Sequence, residues 1–149
     1  MKTGDVCKRQ VVTATPQASL CAVSKLMRAN HVGSIVIVDA ARKPVGIITD
    51  RDIVVEVVAA ELDPKSVRVE EVMTRHPTLA LESDDATWSL KVMRDRGVRR
   101  LPVMNDAGEL IGIVALDDLL ESAANGLVDV VQAIGNERLI EGQRRRATV

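Results

Sequence analysis

Residues 45–54 read VGIITDRDIV, and residues 111–120 read IGIVALDDLL. The two stretches lie 66 positions apart, and each runs from an apolar segment into a segment that carries two or more carboxylates. This pattern is typical of a buried strand that turns directly into a helix. Because the pattern occurs twice, it decides how the rest of the chain is interpreted.

The same offset of 66 aligns much more of the chain, and no gap is needed. Met27 falls on Met93, and Val32 falls on Val98. A repeat of this length indicates two copies of one supersecondary unit, each too small to bury a core alone. We therefore predict two halves that pack as one pseudo-twofold module with a cleft at their seam.

Each copy reads as strand, helix, strand, strand, helix, which predicts an α/β fold of two βαββα repeats. The first strand is predicted at 11–13, and the turn residues of 39–44 and 105–108 predict hairpins. Ser19 and Asp85 are predicted N-caps of the two first helices. Helical spacing predicts a core face on each of these helices: Leu20, Val23 and Met27 in copy one, and Ala86, Leu90 and Met93 in copy two.

The ends of the copies are harder to define. Residues 53–58 are mostly β-branched, but the matching residues 119–124 favour helix, so both segments are predicted as helices. We predict domains at 5–62 and 77–124, joined by a linker at 63–76. Gly126 is predicted to end the last helix of copy two. Residues 125–149 would then form a C-terminal helix and basic tail, with an apolar stripe of Leu127, Val130, Val131 and Ile134.

The composition argues against several classes of function. The net charge is −1 and Trp88 is the sole aromatic residue, so neither electrostatics nor base stacking favours nucleic acid. No apolar run has the length of a membrane span and no signal peptide is visible, so we expect a cytoplasmic protein without membrane contact. The two cysteines and two histidines lack metal-ligand spacing. No Ser–His–Asp or Cys–His set can be placed, so we expect no enzyme and no metal.

Thr49 and Asp52 stand three residues apart where the first strand–helix turn is predicted. The pattern [ST]-x-x-[DE] before an apolar run is a capping box, which alone would account for both side chains. The same geometry also suits a nucleotide, because a Thr hydroxyl can contact phosphate and a carboxylate can accept hydrogen bonds from ribose hydroxyls. Both interpretations stay open on spacing alone.

Five segments together resemble a tandem pair of CBS domains, also called a Bateman module. They are LMRANHVGSIVIVD at 26–39, VGIITDRDIV at 45–54, VMTRHPTLAL at 72–81, VMRDRGVRRLPVMND at 92–106 and IGIVALDDLL at 111–120. The resemblance covers roughly residues 5–124, and it is strongest to small stand-alone proteins of the hypoxic-response type. It implies an adenine nucleotide in the cleft between the copies.

The resemblance also implies which residues form that site. Thr49 would contact phosphate, Asp52 would hold the ribose, Thr78 would lie near the base, and Arg99 and Arg100 would reach the phosphates. The complete set carried over is Gly46, Ile47, Ile48, Thr49, Asp50, Arg51, Asp52, Thr78, Arg99 and Arg100. The mirror site keeps Gly112 and Asp118, but Ala115 replaces the hydroxyl and Gly33-Ser34 replaces the arginine pair. We therefore expect it to be the weaker of the two.

The predicted function is that of a regulatory sensor for AMP, ADP or ATP, with NAD or S-adenosylmethionine as further candidates and no cofactor required. The alternative is a structural or protein-interaction module with an empty cleft. The protein that such a sensor would regulate is unknown. Trp88 and Val92 lie on one helix face away from the predicted core, so we expect a homodimer through these helices.

Overall fold

The computed structural model describes residues 1–147, and Thr148 and Val149, the end of the predicted basic tail, lie outside the described residues. Its helices and strands, in chain order, are α1 Thr3–Val6, β1 Thr13–Ala14, α2 Leu20–Asn30, β2 Ser34–Val38, β3 Pro44–Thr49, α3 Asp50–Ile53, β4 Thr74–Arg75, β5 Ala80–Leu81, α4 Ala86–Arg96, β6 Arg100–Met104, β7 Leu110–Ala115 and α5 Leu116–Ala147. A π-helical turn at Val54–Val58 continues α3, and a 3₁₀ turn spans Val69–Glu71.

The predicted fold of two βαββα repeats is confirmed. In copy one, β1 runs parallel to β2, and β2 and β3 form an antiparallel hairpin. In copy two, β5, β6 and β7 repeat this arrangement. The register repeats as well, because Ile37 pairs with Gly46 and, 66 residues later, Val103 pairs with Gly112. Both predicted helix caps form, since Ser19 accepts from the amide of Ala22 and Asp85 from the amide of Thr87.

The segment that leads into each copy packs on the sheet of the other copy. Strand β4, which precedes copy two, pairs with β3 of copy one. At the equivalent position in the segment before copy one, Lys8 forms an isolated antiparallel β-bridge with Ile113 of copy two. The amide of Thr3 donates to Asp84 O at 2.7 Å, and the amide of Val69 donates to Ala18 O at 2.9 Å. The predicted linker at 63–76 therefore carries a 3₁₀ turn and a strand that complete the first half.

Each half has its own apolar core. Each core also contains residues of the segment that leads into the other copy, which is called a crossing segment below. The first core contains Val69 and Met73 beside the residues of α2, β2 and β3. The second has Val6 and Cys7 packed against it. The two halves are interlocked in this way because neither copy has enough apolar surface to close a core by itself.

One pair of buried hydroxyls distinguishes the second core from the first. Thr3 and Ser89 are fully buried, and their hydroxyl oxygens lie 2.7 Å apart in a hydrogen bond. The residues at the matching positions of the first half are Val69 and Val23, both fully buried. The second half thus uses a satisfied polar pair where the first half uses two apolar side chains.

The predicted core face of α4 needs a correction. Ala86 and Met93 are buried as predicted, but Leu90 is 44% exposed and Ser89 takes the buried place. The α1 segment lies over that part of α4 and places Thr3 against Ser89, which turns the buried face toward Ser89. The strand predicted at 11–13 is shifted slightly and pairs over Thr13–Ala14.

The end of copy two also differs from the prediction. Gly126 does not end a helix, because α5 runs unbroken from Leu116 to Ala147. Of the glycines, Gly97 and Gly108 have positive φ, and Gly97 ends α4 in the left-handed conformation. A glycine inside a helix costs about 1 kcal/mol relative to alanine, a cost that a long helix tolerates. The predicted C-terminal helix therefore exists as the continuation of the last helix of copy two.

Two faces bear on the predicted homodimer. Trp88 is 43% exposed on α4, but Val92 packs against the second core, so the two do not form a shared free face. On α5, every residue from 123 to 147 is exposed. The homodimer stays a prediction, and the larger uncovered apolar surface lies on α5. Over residues 1–147, no helix combines the length and the apolar character that crossing a membrane requires.

Candidate functional site

A cavity of about 370 Å³ lies where α3 of copy one meets the start of β6 in copy two. Its walls include most of the residues that the sequence pointed to. From copy one it is lined by Ile47, Thr49, Asp50, Arg51 and Asp52, and from the second half by Gly97, Val98, Arg99 and Arg100, with Thr74 of β4 between them. Two segments 50 residues apart in the chain are thus brought to one seam.

Thr49 and Asp52 form the capping box. The Thr49 hydroxyl accepts from the Asp52 amide at 3.2 Å, and the Thr49 amide donates to Asp52 Oδ2 at 2.8 Å. The capping box predicted as one interpretation is therefore present. It engages the Thr49 hydroxyl as an acceptor and one of the two Asp52 carboxylate oxygens. The Thr49 hydroxyl proton and Asp52 Oδ1 make no hydrogen bond within residues 1–147, and both residues are half-buried at the cavity wall.

The arginines supply the positive charge of the cavity. Arg100 is half-buried, and its guanidinium makes no hydrogen bond or ion pair within the described part of the chain. Arg99 lies beside it, but its guanidinium is 3.5 Å from a carboxylate oxygen of Asp117. Helix α3 has four residues before it becomes π-helical, so its dipole is small. Arg51 of copy one also lines the cavity, and its guanidinium makes no hydrogen bond or ion pair within residues 1–147. An anion in this cavity would therefore be held mainly by Arg100 and Arg51.

A second, smaller cavity of about 170 Å³ adjoins the first and shares Ile47, Thr74, Val98 and Arg100 with it. Thr78, which precedes β5, lies at its wall. The other new lining residues are His76, Pro77, Arg96, Leu101 and Pro102. The walls of this extension are largely apolar, as is usual for a pocket that receives a flat ring.

Two of the predicted site residues lie away from the cavity. Ile48 is fully buried in the first core. At Gly46 an added Cβ would overlap the side chain of Met73. Gly112 repeats this arrangement, because a Cβ there would meet Cys7 Sγ at 2.7 Å and the Lys8 carbonyl at 3.0 Å. Both glycines therefore permit the close approach of a crossing segment. Burial raises the pKa of the Cys7 thiol, which keeps it neutral in this contact.

The mirror cleft at the other side of the seam is smaller, at about 180 Å³. Ala115 stands where copy one has Thr49, and Asp117 where it has Arg51. Asp118 keeps the backbone contact of its counterpart, accepting from the Ala115 amide at 2.9 Å. Its second oxygen is also occupied, because Lys8 Nζ lies 3.1 Å away. Gly112 and Asp118 do not reach the wall of this cleft, whereas Arg100 of the same half lines both this cleft and the first cavity.

Sequence reasoning missed Lys8 as a residue of the second cleft. The offset of 66 pairs Lys8 with Thr74, which lines the first cavity. The repeat therefore pairs Lys8 with a residue of the first cavity. This pairing identifies Lys8 as a cleft residue only when the segment before each copy is known to pack on the sheet of the other copy. No cluster of three or more His, Cys, Asp or Glu side chains among residues 1–147 has metal-site geometry.

A family model described as CBS domain matches residues 4–59 and again residues 69–125. The second match begins inside the segment that was predicted as a linker, and the domain limits 5–62 and 77–124 stay a prediction. An uncharacterised protein of Methanopyrus kandleri is 38% identical over 122 residues, which are 81% of this chain and 62% of that protein. The chain thus spans less than two thirds of that relative.

Three solved structures share the fold over most of this chain. A protein with CBS domains from Burkholderia ambifaria is 30% identical, with a TM-score of 0.76 over 83% of this chain and 93% of that one. Hypoxic Response Protein I, solved with two coordinated zinc ions, is 28% identical, with a TM-score of 0.73 and coverages of 81% and 98%. The CBS domain pair of MJ0100, solved with 5′-methylthioadenosine and S-adenosyl-L-methionine, is 26% identical, with a TM-score of 0.76 and coverages of 85% and 98%.

Proposed function

The chain belongs to the CBS-domain family as a tandem pair, and on that premise we propose that it is a regulatory module that binds one adenine nucleotide per chain. The site is the cavity between α3 and the start of β6. The observation that carries the proposal is that Asp52 Oδ1 and the guanidinium of Arg100 belong to residues lining one cavity, and neither has a hydrogen-bond or ion-pair partner within residues 1–147.

Each part of the ligand has a matching part of the cavity. The ribose hydroxyls would donate to Asp52 Oδ1, and the phosphate would accept from the guanidinium of Arg100 and the hydroxyl of Thr49. Charge-assisted hydrogen bonds of this kind each contribute about 1.5–3 kcal/mol. The base would enter the apolar extension that contains Thr78. AMP, ADP and ATP are the proposed ligands, and NAD shares the same adenosine phosphate.

S-adenosylmethionine, the remaining candidate ligand, differs from these nucleotides because it has no phosphate. MJ0100 was solved with two adenosyl compounds that lack phosphate. 5′-Methylthioadenosine would offer the Arg100 guanidinium no anion, and S-adenosylmethionine would offer it only one carboxylate, which lies beside the ammonium and sulfonium charges of the same ligand. We therefore place phosphate-bearing nucleotides ahead of it for this chain.

The regulatory step follows from the position of the site. Asp52 and Thr49 belong to copy one, whereas Arg100 belongs to copy two. A ligand that holds both would favour one relative arrangement of the copies over others, and a ligand shifts an equilibrium only through such differential contacts. We propose regulation of this kind rather than catalysis, in a cytoplasm that supplies the nucleotide.

Nucleotide protection against thermal unfolding tests the proposal. The chain is heated with AMP, ADP, ATP, NAD, adenosine or S-adenosylmethionine. A ligand at 100 times its Kd adds about 2.7 kcal/mol to the stability, and about 2–4 °C of Tm accompanies each kcal/mol in a domain of this size. A rise for the phosphate-bearing ligands supports the proposal. No rise with any of them would favour the alternative, a structural or interaction module in which Thr49 and Asp52 only cap the helix.

A further inference from the structure

His76 lies in the crossing segment that leads into copy two, and it lines the apolar extension of the first cavity. It follows β4 directly, and its amide donates to the Val45 carbonyl oxygen at 3.3 Å. Its φ is +49°, in the left-handed region that residues other than glycine rarely adopt. Pro77 comes next, and a residue before proline is normally extended. The backbone at His76 is therefore strained.

The repeated fold does not require this strain. The offset of 66 pairs His76 with Gln10 in the other crossing segment. Gln10 lines the second cleft, as His76 lines the extension, but Gln10 does not have a positive φ. Strained residues persist where their surroundings hold them, and they concentrate at ligand-binding positions. The strain at His76 thus points to a role in the cavity that it lines.

The walls around the proposed ligand contain one aromatic ring. The chain has no Phe and no Tyr, and its single Trp, Trp88, lines neither the first cavity nor the extension. Among the residues that line these two spaces, His76 alone carries an aromatic side chain. The apolar part of the extension is formed by Ile47, Pro77, Val98, Leu101 and Pro102. A base in the extension would therefore find aliphatic walls and one flat ring.

We propose that the imidazole of His76 packs against the base of the bound nucleotide and that this contact makes the site prefer a purine. The inference rests on the proposed function, in which the ribose engages Asp52 and the base enters the extension. Stacking on an aromatic side chain strengthens base binding by about fivefold or more. A purine has two fused rings and a pyrimidine has one, so a purine offers the larger face to the imidazole.

Isothermal titration calorimetry with AMP, CMP and ribose 5-phosphate tests the inference, because these ligands share the ribose phosphate and differ in the base. His76→Asn removes the ring, and asparagine tolerates the left-handed conformation, so the turn is kept. This variant should weaken AMP by about fivefold or more, CMP by less, and ribose 5-phosphate by less than about twofold. Gln10→Asn, at the matched position of the other crossing segment, is the control and should leave all three affinities unchanged.

Three results would overturn the contact while the nucleotide site stands. They are an AMP affinity that His76→Asn leaves unchanged, equal losses for all three ligands, and a loss of AMP binding from Arg96→Ala without one from His76→Asn. The last result would place the base against the Arg96 guanidinium, which belongs to another residue of the extension wall. If the unaltered chain binds neither AMP nor ribose 5-phosphate, the proposed function is wrong and the inference falls with it.

Nuclear magnetic resonance gives a second test on the unaltered chain. The chain has two histidines, His31 and His76, and the variant His31→Asn assigns their ring resonances. A base stacked on an imidazole shifts the ring proton resonances through its ring current. AMP at saturation should therefore shift the His76 resonances clearly more than ribose 5-phosphate does, and the His31 resonances should stay in place. Equal shifts of the His76 ring with the two ligands would contradict the stacking contact.

Discussion

The two clefts of this molecule are copies of one design, and they differ at a few matched positions. The first has Thr49, Arg51 and Thr74 where the second has Ala115, Asp117 and Lys8. In the first cleft one carboxylate oxygen of Asp52 has no partner among residues 1–147, whereas in the second the matching oxygen of Asp118 lies 3.1 Å from the Lys8 ammonium. The same backbone thus supports one cleft with an open carboxylate oxygen and one in which the chain's own cation engages it.

This difference indicates how one copy of a duplicated site can lose its free carboxylate oxygen while the fold stays the same. Asp118 is 9% exposed, so leaving it ionised and unpaired would be costly. Lys8 pairs with it at 3.1 Å, and in our proposal this contact occupies the oxygen that a ribose would otherwise use. The substitution uses a crossing segment that already packs there, so no new structural element is required.

The two aspartates should show the largest difference between the clefts. Asp52→Ala removes two hydrogen bonds from the ribose, and the AMP affinity should fall by about 100-fold or more. Asp118→Ala should change it by less than about threefold, because that carboxylate is already paired with Lys8. Isothermal titration calorimetry with AMP measures both. Equal losses from the two variants would remove the asymmetry.

The arginines of the first cleft should act on the phosphate of the ligand. Arg100→Ala should weaken AMP and ATP by about 10- to 100-fold and leave adenosine nearly unchanged, since the contact is with the phosphate. Arg99→Ala should have a smaller effect, because Asp117 already engages that guanidinium. Binding of the three ligands to each variant checks this. A uniform loss for all three would mean that Arg100 acts on the structure rather than on the phosphate.

Opening the second cleft is the converse experiment. Lys8→Thr together with Ala115→Thr copies the first cleft into the second and releases one oxygen of Asp118. A second AMP should then bind at least about tenfold more weakly than the first, since Gly33 and Ser34 replace the counterparts of Arg99 and Arg100 and Asp117 adds a negative charge. The single variant Lys8→Thr is the control. If the double variant still binds one AMP per chain, Lys8 is not what closes the cleft.

The smallest effect concerns the two cores. Thr3→Val or Ser89→Val alone leaves a buried hydroxyl without its partner and should lower the free energy of unfolding by about 1–3 kcal/mol. The double variant copies the Val69–Val23 arrangement of the first core and should recover most of the loss. Urea unfolding of the unaltered protein, the two single variants and the double variant completes a double-mutant cycle. Losses that simply add would show that the hydroxyls do not interact.

Much of the fold could be predicted from the sequence because the repeat makes each copy a control for the other. The offset of 66 identified the hairpins, and local rules identified Ser19 and Asp85 as caps. The same offset resolved residues 53–58 as helical, although their β-branched residues favoured a strand. These features depend on neighbours along the chain, which a single sequence displays.

Other features depend on contacts that local patterns do not contain. The exchange of the crossing segments joins Lys8 to Ile113, and no periodicity reports a pairing so distant. The burial of Ser89 in place of Leu90 follows from that exchange. Gly126 was misread because a glycine both ends helices and is tolerated inside them. Gly46 is one of the site residues that the family resemblance implied, yet a side chain there would meet Met73 rather than the cavity.

We propose that this chain has one open nucleotide site and a second cleft whose aspartate is occupied by Lys8. The number of AMP molecules bound per chain at saturation, measured by isothermal titration calorimetry on the unaltered protein, tests it most directly. We expect one AMP per chain and a single binding event. Two equivalent AMP molecules per chain would contradict the closure by Lys8, and no binding at all would contradict the site itself.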